Sequence, residues 1–354
     1  MKSYVYVAIL SLLAFFILLL VYNFGDIPNR HKNGFKRKYF PTACSGFREI
    51  TLRDTLSGIV GSTPSTIYVA VATEGELLEI GTGVNGKIKR MKIPHFTRFY
   101  DSLKFSSLAI KVDSPRIYLF AENKPAIIKT TFDSTIFEIR ILPPGPFTRE
   151  VMVDTGCFIL RKIEPRLTDQ LFVRYDFGTG LLKKENNISQ LYGDGGIITD
   201  GQLHADDETR RVYYIYYYRN WVLSFDTSLE SAAKFSSIDT TSSFKMQTGL
   251  VKNGPTTAYT NITPANIINK ASAVQHGLLF NLSTLKADND QDEFFFNNSI
   301  LDVIDLTNGR YQGSISLPVF NGSKISQFII SNNRLIGLYT NSIVICDLHL
   351  DIAR

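Results

Sequence analysis

One pattern constrains this chain more than any other: an apolar run, a short polar turn and a second apolar run recur six times. The copies are "TIYVAVATEGELLEIG" (66–81), "RIYLFAENKPAIIKTTF" (116–132), "CFILRKIEPRLTDQLFVRYD" (157–176), "TRRVYYIYYYRNWVLSFDTS" (209–228), "GLLFNLSTLKADNDQDEFFFNNSILDVID" (277–305) and "RLIGLYTNSIVICD" (334–347). The runs are rich in β-branched and aromatic residues, which favour a pleated strand over a helix. In the fourth copy alternation puts Val212, Tyr214, Tyr216 and Tyr218 on one face and Tyr213, Ile215 and Tyr217 on the other. Both faces are apolar, so each small sheet must be covered on both sides by its neighbours.

Several second arms end in an aspartate followed by turn residues: Asp176, Asp226, Asp305 and Asp347. An Asp side chain can start a turn, and a further strand follows, as in "RYQGSISLP" (310–318). A preceding strand is clearest in the last unit, "SQFIIS" before Asn332-Asn333, which makes four strands per unit. The units begin at Ile67, Ile117, Cys157, Val212, Leu278 and Leu335. A repeat of about forty to fifty residues is that of a blade, and the longer gaps imply loop insertions. The chain stops soon after the third strand of unit six, while "GFREITL" (46–52) stands alone before unit one. It can supply the missing outer strand and remove an exposed edge.

On these units the chain resembles the six-bladed β-propeller proteins, the broad TolB-like and NHL-like group, over residues 46–354. No Gly-His to Trp-Asp signature is present, and the only tryptophan is Trp221. The expected fold is all-β: a six-bladed propeller of four-stranded antiparallel blades, closed by strand 46–52 and preceded by one N-terminal transmembrane helix. The expected units are a membrane anchor at 1–25, a basic linker at 26–45 and the propeller at 46–354.

The anchor is "YVYVAILSLLAFFILLLVY" (4–22), without a charge and long enough to span a hydrocarbon core of about 30 Å. No small-residue cleavage site follows in "NFGDIPNRH", so an uncleaved, single-pass signal anchor is favoured over a removed signal peptide. Of the net charge of +5, all falls within residues 1–38; beyond them acids and bases balance. This gives no reason to expect a nucleic-acid surface. The basic flank is expected to lie against anionic lipid headgroups. The positive-inside rule would put flank and propeller in the cytoplasm. The form of an export signal puts the propeller in the periplasm of a bacterial envelope, and that orientation is the one adopted.

No catalytic constellation assembles. His31, His95, His204, His276 and His349 lack metal spacing, and "GTGVNG" (81–86) and "GDGGIITDG" (193–201) read as blade turns rather than phosphate loops. "KADNDQDE" (286–293) lacks the glycine and the terminal-glutamate spacing of a calcium loop and reads as a solvated insertion. Cys157 and Cys346 fall inside strands as small buried thiols, and Cys44 lies in the linker. No metal and no cofactor is expected.

One local repeat remains. "KRMKIPHFTRF" (89–99) and "FEIRILPPGPFTRE" (137–150) both place Phe-Thr-Arg after a strand, and "SISLPVFNGSK" (314–324) is a weaker third copy. These are blade-to-blade connections, which share one face with the middle hairpin turns. Arg98, Arg149 and Lys324 are therefore candidate anion-accepting rim residues, and Tyr218, Arg219 and Trp221 flank a turn on the same face. The alternative makes Phe-Thr-Arg a structural turn. Two function classes follow: a membrane-tethered binding or scaffolding module for a protein, peptide or anionic ligand, or a propeller enzyme, a hydrolase or quinone-dependent dehydrogenase, with its metal or cofactor in the channel.

Overall fold

The computed structural model describes residues 2–24, 32–83, 86–104, 108–185, 187–243, 246–253 and 256–352. After helix α1 (Lys2–Phe24) comes β1 (Cys44–Thr51), and then the blades begin. Blade one is β2 (Leu56–Thr63), β3 (Thr66–Val71), β4 (Glu76–Gly81) and β5 (Ile88–Lys92); helix α2 (Phe96–Leu103) leads to blade two, β6 (Leu108–Asp113), β7 (Arg116–Ala121), β8 (Ala126–Thr131) and β9 (Glu138–Ile141). Blade three is β10 (Phe147–Asp154), β11 (Cys157–Glu164), β12 (Asp169–Asp176) and β13 (Leu182–Lys184), and blade four is β14 (Gly201–Asp206), β15 (Arg211–Tyr216), β16 (Trp221–Asp226) and β17 (Ala232–Ser236). A separate hairpin, β18 (Thr248–Asn253) with β19 (Thr256–Asn261), precedes blade five: β20 (Asn269–Gln275), β21 (Leu278–Ser283), helix α3 (Asp292–Phe296), β22 (Asn298–Asp305) and β23 (Arg310–Pro318). Blade six is β24 (Gln327–Ser331), β25 (Arg334–Leu338) and β26 (Ser342–Leu348), with β1 as its outermost strand.

The molecule is thus a six-bladed β-propeller of four-stranded antiparallel blades. β1 pairs with β26 from Cys44↔Leu348 to Thr51↔Ser342, so the first strand of the fold closes the last blade and covers its edge. First strands of neighbouring blades touch one another around the axis. The tyrosine ribbon divides by alternation: Val212, Tyr214 and Tyr216 pack with Ile159 and Phe172 of blade three, and Tyr213 and Ile215 pack with Leu279 and Ile304 of blade five. Asp176, Asp226 and Asp305 cap the turns after their strands through hydrogen bonds from Thr179, Ser228 and Thr307. Asp347 pairs instead with Arg334, because no such turn follows it.

Two expectations need correction, and both concern the linker. Residues 32–43 form a strap along blade five. Arg37 is fully buried: its Nε and Nη2 donate to the two Asp302 oxygens at 2.8 and 3.0 Å, and its Nη1 donates to Asp290 at 2.6 Å. Burial works against the charged guanidinium, but Asp302 and Asp290 outweigh it and raise its pKa. Phe35 is buried beside it, and the Tyr39 hydroxyl donates to Asp290 at 2.7 Å. The "KADNDQDE" insertion is therefore the docking site of the strap rather than a solvated loop, and Arg37 cannot meet lipid headgroups. Lys32, Lys36 and Lys38 stay exposed. In α1 the described side chains, Tyr6 and Ile9 to Leu19, are exposed; among the described residues no helix is long and apolar enough to cross a membrane.

Candidate functional site

Turns between second and third strands, together with the blade-to-blade connections, emerge at one end of the ring, the loop face. Long segments of this kind are 93–107 with α2, 185–200, 237–268 with its hairpin, and 284–297.

The six candidate residues sit in different local settings. Phe96-Thr97-Arg98 opens α2, whereas Phe147-Thr148-Arg149 begins the inner strand β10, so the two copies adopt different structures. Arg98 is exposed with its guanidinium 5.1 Å from the Phe137 ring. Arg149 donates from Nη2 to Asp200 at 2.8 Å and from Nε to the Gly201 carbonyl at 2.7 Å, and its guanidinium lies 5.7 Å from the Tyr217 ring. Burial disfavours its charge, but Asp200 prevails and raises its pKa. Asp200 also accepts from Arg161 at 3.3 Å, whose Nη2 donates to Thr199 Oγ1 at 2.6 Å and the Gly196 carbonyl at 3.1 Å. A Cβ at Gly196 would lie 3.0 Å from that Nη2, and φ there is +76°, so glycine is what lets the loop close on Arg161.

Arg219 is enclosed, its guanidinium 4.1 Å from the Tyr216 ring and 3.6 Å from that of Trp221, with Nη2 donating to Gln190 at 2.8 Å. Lys234 covers Trp221 at 3.4 Å. Tyr218 stacks edge-on to Tyr217 at 6.1 Å. Lys324 donates to the Phe295 carbonyl at 3.0 Å and lines a cavity of about 190 Å³ with Lys270; burial and then Lys270 lower its pKa.

The larger loop-face cavity, about 690 Å³, lies on blade three between Pro143-Pro144 and the 163–167 turn. Leu167, Leu171 and Val173 supply apolar surface, and Lys162, Arg166 and Lys184 supply positive charge. Lys162 is buried and donates to the carbonyls of Pro144, at 2.6 Å, and Gly145; burial lowers its pKa. Lys184 pairs with Glu164, whose carboxyl that hydrogen bond holds below its usual range. A second cavity of similar size, about 630 Å³, opens at the opposite end between blades five and six and is partly formed by the terminal His349 to Ile352. None of the six candidates lines the blade-three groove. Its signal in the sequence is the pair of proline turns "LPPGP" and "IEPR", rigid segments on adjoining connections.

Inner strands carry a further polar set. Lys111 of β6 lies 3.9 Å from Glu150 of β10, and His204 Nε2 of β14 meets Ser272 Oγ of β20 at 2.8 Å. Burial raises the Glu150 carboxyl to about 7, against the pull of Lys111; burial and then Lys111 lower His204 to about 4. Among the described residues no group of three or more His, Cys, Asp or Glu side chains is placed to hold a metal ion.

No protein-family profile matches the chain, and no curated protein matches it. Solved structures do. A member of the DUF4221 family from Bacteroides vulgatus shares 12% identity over 91% of this chain and 100% of its own, with a TM-score of 0.56. Virginiamycin B lyase from Staphylococcus aureus shares 11% over 86% and 99%, TM-score 0.49, and BamB from Moraxella catarrhalis 11% over 92% and 97%, TM-score 0.42. At such identities the likeness is one of fold, and function has to be argued from the site.

Proposed function

We propose that the protein is a single-pass, membrane-tethered propeller that holds an acidic segment of another protein, or an acidic peptide, on its loop face outside the cytoplasm and performs no chemistry on it. The observation that carries this reading is the blade-three groove. Its volume of about 690 Å³ falls within the ~300–1,000 Å³ typical of ligand sites, and apolar walls meet Lys162, Arg166 and the Lys184–Glu164 pair there. Lys162, held by two carbonyl oxygens, and the exposed Arg166 favour a carboxylate-bearing partner. Lys324 with Lys270 offers a second foothold for an anion, and Arg98 and Tyr218 stand where a partner's rim contacts would fall. Arg149, Arg219 and Trp221 hold the loops in shape. The uncharged run 4–22 supports the tether.

A photo-crosslinking residue at Leu167, compared with one at Asp207 at the opposite end of blade four, tests the reading in native membranes. A discrete adduct from Leu167 alone is expected; the same adducts from both positions would overturn it. Release of the full chain by an alkaline carbonate wash would overturn the tether.

A further inference from the structure

The strap reaches the propeller at one particular place. Asn33 donates to Asp288 at 2.8 Å and to the Lys286 carbonyl at 2.8 Å, and its own carbonyl accepts from Thr240 Oγ1 at 2.6 Å. Asp288 and Lys286 lie in the second-to-third-strand turn of blade five, and Thr240 in the connection from blade four to blade five, so all three belong to the loop face. The strap meets β23 at one isolated parallel bridge, Tyr39 to Ser314, and reaches the other end of the ring, where His349 N donates to the Ala43 carbonyl at 2.8 Å. The buried Arg37 cluster fixes this path. From Phe24, the last residue of α1, to Asn33 an extended chain spans at most about 30 Å.

The connection that receives Asn33 also carries the β18–β19 hairpin, which lies outside every blade. Leu250 is 62% exposed and Val251 48%, with Lys252 exposed next to them. Tyr259 leans on the 185–200 connection: a Cβ at Gly195 would lie 3.2 Å from its ring. The strap and the hairpin thus share one inter-blade connection on the loop face. Lys32 and Lys36 stand exposed on the strap. Apolar side chains flanked by lysines suit the boundary between headgroups and acyl chains, where such residues lie about 5–10 Å deep.

We propose that the strap turns the loop face toward the bilayer and that the hairpin rests in its anionic headgroup layer through Leu250 and Val251. This rests on the tether proposed above. It places the blade-three groove on the membrane-facing side, so that the partner it takes is itself a membrane-apposed segment.

The test uses the full chain in a Cys44→Ser background, reconstituted into phosphatidylcholine–phosphatidylglycerol vesicles that contain a nitroxide-labelled lipid. An environment-sensitive dye is attached at Val251→Cys or, separately, at Asp207→Cys at the far end of blade four. Strong quenching at 251 and little at 207 is the expected result, with weaker quenching at 251 once Arg37→Met frees the strap. Equal quenching at both positions, or none at 251 in protein that floats with the vesicles, overturns the orientation while leaving the tether intact. A dye at 251 that is shielded yet unquenched marks a protein cover and overturns the lipid contact. Protein that fails to float removes the tether and this inference with it. Should Arg37→Met not fold, the comparison of 251 with 207 decides alone.

Discussion

Arg37→Met asks whether the linker belongs to the fold. Methionine keeps contact with Phe35 and Phe295 but deletes a guanidinium that bridges two carboxylates, with side-chain exposures of 0% for Arg37, 0% for Asp290 and 2% for Asp302. Asp302 keeps the Ser314 hydroxyl at 2.6 Å, and Asp290 keeps Tyr39 and the Ala287 amide. Those neutral donors do not replace a charge. Removing one partner of a buried ion pair costs about 3–5 kcal/mol. For a propeller of this size that corresponds to a fall in Tm on the order of 5–8 °C. Lys36→Met and Lys38→Met change exposed neighbours and should stay within about 0.5 kcal/mol of the parent. The assay is a thermal melt followed by near-ultraviolet circular dichroism, with inactivation half-lives compared if unfolding is irreversible. An Arg37→Met protein that melts with the two lysine variants would refute the strap and, with it, the membrane-facing loop surface.

Ring closure is tested by Glu49→Cys with Val344→Cys, directly opposed on β1 and β26: oxidation should join them and raise the melting temperature, whereas failure to crosslink would mean that β1 does not close blade six. Arg149→Ala should destabilise by about 1–3 kcal/mol, since it removes the donors to Asp200 Oδ2 and the Gly201 carbonyl and leaves Asp200 to Arg161 and the Gly201 amide, whereas Arg98→Ala should be near neutral; equal melts would contradict that division. The channel pair gives opposed pH dependences. Glu150, raised to about 7 from 4.5, contributes stability that is full below pH 4.5 and lost as pH rises through 7. His204, lowered to about 4 from 6.5, contributes stability that is full above pH 6.5 and lost as pH falls through 4. The parent should therefore show a flat profile between pH 4.5 and 6.5, Glu150→Gln a rise with pH and His204→Gln a fall; unchanged slopes in both variants would dismiss the account.

The blades were legible because alternation is local: each strand announces two apolar faces, and six such units require stacked sheets. The Phe-Thr-Arg repeat misled for an equally local reason. Phe96, Phe99, Tyr100 and Leu103 recur at helical spacing, whereas Phe147-Thr148-Arg149 runs into the alternating "EVMVD", so context selects helix in one copy and strand in the other. The strap was illegible because Arg37 meets partners 253 and 265 residues away, which no pattern near it announces. For the groove, the proline turns "LPPGP" and "IEPR" mark two rigid connections, but only the pairing of β10 with β11 brings them together.

The central claim, an acidic partner held in the blade-three groove, is tested most directly by charge reversal under a crosslink. In native membranes Arg166→Glu should abolish the adduct formed from a photo-crosslinking residue at Leu167 while leaving the melting temperature unchanged, since Arg166 is exposed. An adduct of undiminished yield from the Arg166→Glu protein would contradict the claim.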